Sequence, residues 1–206
     1  MTAEAVIHEM TIHSMPDWAF PPPGGFVAED LDHITDLPAH TELIDGSLVF
    51  VSPQASFHMR AFHMRAISLL ESEVRRAAPE DLRVRREMSV ILDTDQRPEP
   101  DLTVIRAEAA AGGDETFYRA RDVVLVVEVV SPESKSRDRR RKPLLYAEAG
   151  IPHFWRVEND SDRPVVYVYA LDPATRSYVA TGVYYDSLKL TVPFDLAIDL
   201  TEIDKF

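Results

Sequence analysis

The chain has 206 residues, enough for one domain with a sizeable core, and its 45% hydrophobic and 28% charged residues are ordinary for a globular protein. It contains no cysteine, which excludes disulfides, thiolate metal sites and cysteine nucleophiles. A net charge of −13 disfavours a general nucleic-acid-binding protein, because such proteins usually carry an excess of Lys and Arg.

The N-terminal region predicts an irregular arm followed by a hairpin. Residues 1–30 are interrupted by prolines and Gly24-Gly25, and they lack the basic and apolar segments of a signal peptide. Asp45-Gly46 lies between apolar runs within 42–51, which predicts a tight turn and a β-hairpin. No apolar stretch reaches the ~18 residues that a membrane span needs. We therefore expect a soluble, cytoplasmic protein with one domain over residues 31–206.

Helical and strand patterns follow the hairpin. Three- and four-residue spacing of apolar side chains predicts a helix over 56–78, and a second helix is predicted over 137–149, ended by Gly150. Runs rich in aliphatic and aromatic residues predict strands at 82–92, 101–106, 123–131, 151–157, 164–171, 178–184 and 188–192. This order predicts an α/β protein with a mixed β-sheet flanked by helices, not a doubly wound fold.

Glu128 interrupts an aliphatic run that otherwise predicts a strand buried on both faces. The run is Asp122-Val-Val-Leu-Val-Val-Glu-Val-Val-Ser131. An ionised carboxylate in such a strand is costly unless a metal ion, a cation or strong hydrogen bonds compensate it. Either a chemical role or a structural ion pair with a buried arginine would account for this residue.

Asp101 opens the preceding apolar run, in Pro98-Glu-Pro-Asp-Leu-Thr-Val-Ile105. If its strand pairs antiparallel with the strand of Glu128, the two carboxylates lie side by side. Two close carboxylates ionise together cheaply only when a cation joins them, and oxygen ligands suit Mg²⁺ or Mn²⁺. The main-chain carbonyl of Val129 would complete such a metal site. Alone, Asp101 could be an ordinary strand-entry residue.

Lys142 brings a positive charge toward the same place. It is four residues after Asp138 and four before Tyr146, so the three residues share one helix face. A lysine there could orient the attacking water and offset charge at a phosphate, although a solvated helix lysine is the alternative. Pro143 removes an intrahelical hydrogen bond unless the helix begins just before it, which leaves the helix start open within one turn.

Two basic clusters lie near these residues in the sequence. Six of the eight residues from Lys135 to Lys142 are basic, and a second cluster comprises Arg83, Arg85 and Arg86. They could contact a nucleic-acid backbone or form a solvated surface. The sequence has no Gly-rich phosphate loop and no Gly-x-Ser-x-Gly motif, so nucleotide binding and serine hydrolysis have no support.

Taken together, these motifs resemble the Uma family of predicted restriction endonucleases, within the PD-(D/E)XK nuclease superfamily. The resemblance runs over about residues 40–157 in the right order. It is carried by Glu42-Leu-Ile-Asp-Gly-Ser-Leu-Val49, Ser52-Pro53, His58, Pro100-Asp101, Glu128-Val-Val-Ser-Pro-Glu-Ser134, Asp138, Lys142, Tyr146 and Ala149-Gly-Ile-Pro-His-Phe-Trp155.

The resemblance implies a restriction-endonuclease-like core in which Asp101 and Glu128 bind the metal ion. The superfamily lysine usually follows the glutamate by two residues, where this chain has Val130. In the Uma family this lysine has moved to the following helix, which makes Lys142 the matching residue.

Other matches and departures concern single residues. Glu42 matches an acid associated with the family site, and it could instead merely support the hairpin. His58 matches the histidine that opens the first long helix, and its alternative role is in packing. Glu158 replaces a common Asp, and Pro143 stands where a helix former is expected. We interpret the remaining histidines as structural or surface residues: His8, His13, His33, His40, His63 and His153.

The leading hypothesis is a DNA endonuclease of the PD-(D/E)XK type that depends on Mg²⁺ or Mn²⁺, with Asp101, Glu128, Lys142 and Glu42 as catalytic residues. One rival is a non-catalytic oligomeric interaction module that retains the nuclease fold, which the net charge favours. Metal-dependent hydrolysis of another substrate is a third possibility. The aromatic late strands favour a homodimer through an exposed sheet face or edge, and duplex cleavage needs two sites.

Overall fold

The computed structural model describes residues 16–50 and 57–206, and there the chain is an α/β protein. A hairpin of β1 (Glu42–Ile44) and β2 (Ser47–Val49) precedes helix α1 (Phe57–Ala77), and α2 (Lys142–Glu148) comes later. The other strands are β3 (Leu82–Arg86), β4 (Ser89–Ile91), β5 (Leu102–Arg106), β6 (Phe117–Arg119), β7 (Val123–Val129), β8 (His153–Asp160), β9 (Arg163–Asp172), β10 (Ser177–Tyr184), β11 (Ser187–Leu190) and β12 (Leu196–Asp199). The predicted fold class and the N-terminal hairpin are confirmed.

The main sheet has six strands in the order β10-β9-β8-β7-β5-β3. Strands β7 and β8 are parallel and are connected through α2, whereas every other neighbouring pair is antiparallel. This is the mixed sheet that the sequence predicts. Strand β7 lies in the middle and is buried along almost its whole length, which explains its continuous aliphatic sequence.

Alternate residues of β7 enter two different hydrophobic layers, because successive side chains of a strand point to opposite faces. Leu125 and Val127 belong to the larger core, to which α1 also contributes. Val126 belongs to a second core together with Tyr146 of α2. Glu128 is two residues after Val126 and therefore lies on the same face of the sheet. Its carboxylate faces α2.

The prediction of a single strand over 82–92 is wrong, because this segment forms two strands. Strand β3 belongs to the main sheet, whereas β4 pairs in parallel with β6 in a separate two-stranded sheet. Glu87 lies between them with a φ of 49°, a left-handed conformation that interrupts a regular strand. Strands β6 and β12, of three and four residues, were not predicted from the sequence.

The helix predicted over 137–149 begins with a π-helical turn, Arg137–Arg141, and becomes α-helical only at Lys142. Pro143 therefore lies in the first turn of α2, directly after the π-helical turn, in which the Lys142 N–H donates to the Arg137 carbonyl. Gly150, with a φ of 82°, follows the helix end. Lys142 is thus the first residue of α2, and the helical backbone begins one turn earlier.

Part of the N-terminal arm packs against the body. Phe26 and Ala28 are buried in a cluster with Leu43 and Ile91, and the Phe26 N–H donates to the Gly46 carbonyl at 2.8 Å. The boundary at residue 30 stays a prediction. Ser52-Pro53 and the side chain of His58 lie outside the described residues. No helix in the described ranges is long and apolar enough to cross a membrane.

Candidate active site

Antiparallel pairing of β5 with β7 brings Asp101 next to Glu128. Leu102 pairs with Val127, so Asp101 and Glu128 occupy the next position along the same ladder. Asp101 Oδ2 accepts a hydrogen bond of 2.6 Å from the Val129 N–H. The pairing is the one on which the sequence argument for two adjacent carboxylates depends.

A buried lysine lies among three carboxylates beside this pair. Lys142 Nζ is 2.7 Å from Glu42 Oε1, 3.1 Å from Glu128 Oε1 and 3.5 Å from Asp138 Oδ1. The O–H of Tyr146 donates to Glu128 Oε1 at 2.5 Å. All five side chains are buried. We call these five residues the lysine cluster.

The hairpin and the turn before α2 are tied together, and this places Glu42 against Lys142. Glu42 Oε1 also accepts the Glu99 N–H at 2.9 Å, which holds the carboxylate from the chain just before β5. At the hairpin turn, Asp45 accepts two hydrogen bonds from Arg141, including one of 2.9 Å from Nε. Arg141 directly precedes Lys142, so this ion pair brings the two halves of the site together.

The lysine cluster holds more negative charge than positive. Glu42, Glu128 and Asp138 supply three buried carboxylates against the single ammonium of Lys142, so two negative charges have no counterpart if all are ionised. Asp138 Oδ1 is a buried oxygen that makes no hydrogen bond to the described residues. The Lys142 ammonium is the cation that these three carboxylates share.

Burial and mutual repulsion govern protonation in the lysine cluster. Burial raises the pKa of Glu128, and the charges of Asp138, Asp101 and Glu42 add to this, while Lys142 opposes it. Burial likewise raises the pKa of Asp138. At Lys142 the carboxylate charges outweigh the effect of burial, so its pKa rises and the ammonium keeps its proton. Glu128 and Asp138 therefore hold a proton more readily than exposed carboxyl groups do, and Lys142 stays charged.

His63 of α1 is a second partner of Asp101. Its Nε2 lies 3.1 Å from Asp101 Oδ1, and the two side chains are 26% and 15% exposed. Burial lowers the pKa of His63, but the hydrogen bond and charge of Asp101 outweigh it and the net pKa is raised. From the sequence we interpreted His63 as a structural or surface residue. Its contact with Asp101 depends on the packing of α1, which the spacing of residues along the sequence does not predict.

The described residues contain no group of three or more His, Asp or Glu side chains arranged to hold a metal ion. The predicted ligand set is smaller, with two carboxylates, from Asp101 and Glu128, and the carbonyl of Val129. In this arrangement the Lys142 ammonium is the cation between Glu42 and Glu128. A divalent cation would therefore rest on few protein ligands and several waters, which is usual for Mg²⁺.

Three of the six basic residues within 135–142 pair with acids. Arg139 donates two hydrogen bonds to Glu158, and Arg141 donates two to Asp45. Arg140 is exposed and has no carboxylate partner in the described part of the chain. Ion pairs thus engage half of the basic residues of the run, so it is not a continuous phosphate-binding surface.

The sheet, its flanking helices and the adjacent buried acids define an α/β protein with a restriction-endonuclease-like fold. A family model described as "Uma2: Putative restriction endonuclease" matches residues 28–201, and the chain belongs to this family. The expected family resemblance is confirmed.

Comparison with solved structures supports the same fold. The crystal structure of a nuclease described as "putative", belonging to DUF820 from Anabaena variabilis ATCC 29413, is 15% identical in sequence and has a TM-score of 0.60. The match covers 87% of this chain and 98% of that one. No curated protein matches the sequence.

Proposed function

We propose that this chain is a DNA endonuclease that depends on Mg²⁺ or Mn²⁺ and hydrolyses phosphodiester bonds through a PD-(D/E)XK-type site. The observation that carries the proposal is the buried Glu128, next to Asp101 on the neighbouring strand and in contact with the buried Lys142. Membership of the Uma2 family, described as restriction endonucleases, and the similarity to the Anabaena nuclease support a nuclease-like activity.

The carboxylates of Asp101 and Glu128, with the Val129 carbonyl, would hold the divalent cation. When bound, such an ion activates water and neutralises charge on the scissile phosphate. Asp101 is the more accessible carboxylate, with a side chain 15% exposed, whereas the Glu128 side chain is 3% exposed. A phosphate would therefore approach from the side of Asp101.

Lys142 would stabilise the negative charge that develops on the reacting phosphate, because its ammonium is held in a water-poor site by fixed carboxylates. Glu42 contacts the ammonium at 2.7 Å and would position Lys142 without binding the cation itself. Tyr146 donates to Glu128 and restrains that carboxylate from the other side. These contacts require no rearrangement at the moment of reaction.

The test is cleavage of supercoiled plasmid with Mg²⁺ or Mn²⁺, and with EDTA in place of the ion. Wild-type protein should nick the plasmid only when the ion is present, and Asp101→Asn should abolish nicking. Asp195→Asn is the matched control, because Asp195 is exposed and makes no side-chain hydrogen bond or ion pair in the described part. Failure of the wild type to nick with either ion would exclude the DNA endonuclease.

A second candidate is a non-catalytic, oligomeric interaction module. The net charge of −13 and the pairing of Arg139 and Arg141 with acids favour it, because both reduce attraction to a phosphate backbone. Calorimetry with Mn²⁺, combined with the nicking assay, separates the two candidates. A module that keeps only the shape of the site would show no nicking even where Mn²⁺ binds and Asp101→Asn removes that binding.

A further inference from the structure

We propose that His63 is a positioning residue that fixes the carboxylate of Asp101, and thereby sets the affinity of the site for a divalent cation. The inference rests on the proposed cation-dependent function, because it assigns a partner to one of the two proposed ligands. His63 lies outside the lysine cluster and comes from a different element, helix α1.

Each oxygen of the Asp101 carboxylate has a nitrogen nearby. The Val129 N–H of β7 lies 2.6 Å from Oδ2, and His63 Nε2 lies 3.1 Å from Oδ1. Each carboxylate oxygen has two lone pairs, so one donor on each leaves the other lone pairs for a cation. The two contacts involve different oxygens of the carboxylate and together oppose its rotation.

The main chain of Asp101 is restrained as well. Its carbonyl accepts the Glu87 N–H at 3.1 Å, and Glu87 has a φ of 49°. A non-glycine residue in this conformation costs free energy and persists only where the surroundings hold it. Because the main chain of Asp101 is fixed, only its side chain can still rotate. The contact with His63 restricts this rotation.

The core of α1 fixes the imidazole. Phe62 directly before His63 and Ala66 three residues after it are 1% and 2% exposed, and both pack in the larger core. These contacts set the rotation of the helix, so the imidazole lies at the edge of the site, with a side chain 26% exposed. A metal-binding side chain is oriented by a hydrogen-bonding partner that is itself held in place. The packing of α1 holds His63 in this way.

Glu128 does not depend on such a partner. Its oxygens already accept hydrogen bonds from Lys142 Nζ and the Tyr146 O–H inside the lysine cluster. Loss of His63 should therefore act through Asp101 alone. Removing the partner of a metal ligand typically costs about 10- to 100-fold in metal affinity.

Variants of His63 with side chains of different length distinguish a positioning role from a packing role. In His63→Gln the side-chain amide nitrogen can occupy the place of Nε2, whereas in His63→Asn it is too short to reach Asp101. His63→Leu removes the donor altogether. His33→Gln is the matched control, because His33 is exposed and lies outside the site.

The first readout is Mn²⁺ affinity, measured by electron paramagnetic resonance with the metal ion alone. We expect affinity to fall about 10- to 100-fold in His63→Leu and His63→Asn. Affinity should stay close to wild type in His63→Gln and His33→Gln. Wild-type affinity in His63→Leu or His63→Asn, or an equal loss in His63→Gln, would overturn the inference.

The second readout needs no metal and separates failure of the inference from failure of the proposed function. Amide hydrogen exchange at Val129 reports the bond to Asp101 Oδ2. In metal-free protein, exchange at Val129 should accelerate in His63→Asn and return toward wild type in His63→Gln. If wild type binds no Mn²⁺, the cation-dependent function fails, and unchanged Val129 exchange in His63→Asn would also overturn the role of His63.

Discussion

Lys142 Nζ lies closer to Glu42 Oε1, at 2.7 Å, than to Glu128 Oε1, at 3.1 Å. The pair joins the first hairpin to the first residue of α2. Because the ammonium is buried, it depends on carboxylates from both segments for compensation. The hairpin is therefore part of the candidate site, and the position of Lys142 depends on an acid far away in the sequence.

The excess of carboxylates around Lys142 predicts how Glu128→Gln affects stability. The substitution removes one buried negative charge while leaving an oxygen that can accept the Tyr146 O–H. In metal-free buffer we expect the free energy of unfolding to stay the same or rise by about 1 kcal/mol. Urea unfolding measures this, and calorimetry should show that Mn²⁺ binding is lost. A variant that is unfolded in every buffer would make Glu128 a structural ion-pair residue.

Lys142→Met should separate catalysis from cation binding. We expect kcat to fall at least about 100-fold with little change in KM, because the ammonium acts on the transition state more than on bound substrate. Mn²⁺ affinity should not weaken, since the freed carboxylates attract a cation.

The cost of Lys142→Met should appear in stability. Leaving buried charges without their partner typically costs about 3–5 kcal/mol, and added Mn²⁺ should restore part of it. Lys189→Met is the control, because Lys189 is exposed on β11. Unchanged nicking by Lys142→Met would remove Lys142 from the reaction.

Arg140 and Arg139 form a matched pair for testing DNA contacts. Arg140→Ala should weaken DNA binding and reduce the slope of log affinity against log salt by about 1, as loss of one phosphate contact does. Arg139→Ala should have a smaller effect, because its guanidinium is already bound to Glu158. Fluorescence anisotropy over a salt series measures both slopes. Equal effects would show that Arg139 leaves Glu158 to meet DNA.

The ion pair between Arg97 and Asp32 predicts a pH-dependent contribution to stability. Two hydrogen bonds of 2.9 Å join the buried guanidinium to the Asp32 carboxylate. The hydrogen bond and charge of Arg97 lower the pKa of Asp32 below its ordinary value of 3.8. The contribution is therefore fully present above that value and is lost as pH falls through the lower folded-state pKa.

Asp32→Asn should accordingly be less stable than wild type at neutral pH, and the difference should shrink at about pH 2.5. Urea unfolding at the two pH values measures it. Asp195→Asn, at an exposed position, serves as the control. A difference that stays constant with pH would show that Asp32 acts through its shape and not its charge.

Homodimerisation is predicted through the edge strand β10. This strand hydrogen bonds only to β9 within the main sheet, carries no charged residue, and exposes Val179 and Val183 by 54% and 44%. Natural edge strands usually carry charges that oppose pairing with another chain. Sedimentation should show a dimer for wild type at micromolar concentration and a monomer for Val179→Lys. Val192→Lys, at another exposed apolar position, should stay dimeric, and a monomeric wild type would exclude the dimer.

The amino-acid sequence by itself determined the features that depend on short-range periodicity. The aliphatic run around Glu128 indicated a buried central strand, and the four-residue spacing of Asp138, Lys142 and Tyr146 indicated one helix face. Side-chain direction within a strand or helix repeats with a fixed period, so these relations can be inferred from neighbours along the chain. The π-helical turn before Pro143 marks the limit of this inference, because its hydrogen-bond pattern departs from that period.

Only the tertiary structure decided which distant side chains meet. The contact of Glu42 with Lys142 depends on how the hairpin docks, and the contact of His63 with Asp101 depends on how α1 packs over the sheet. The tertiary structure likewise decided that Arg139, within the basic run, pairs with Glu158. No local pattern encodes these contacts, because burial of apolar surface orients the elements and their polar side chains meet as a result.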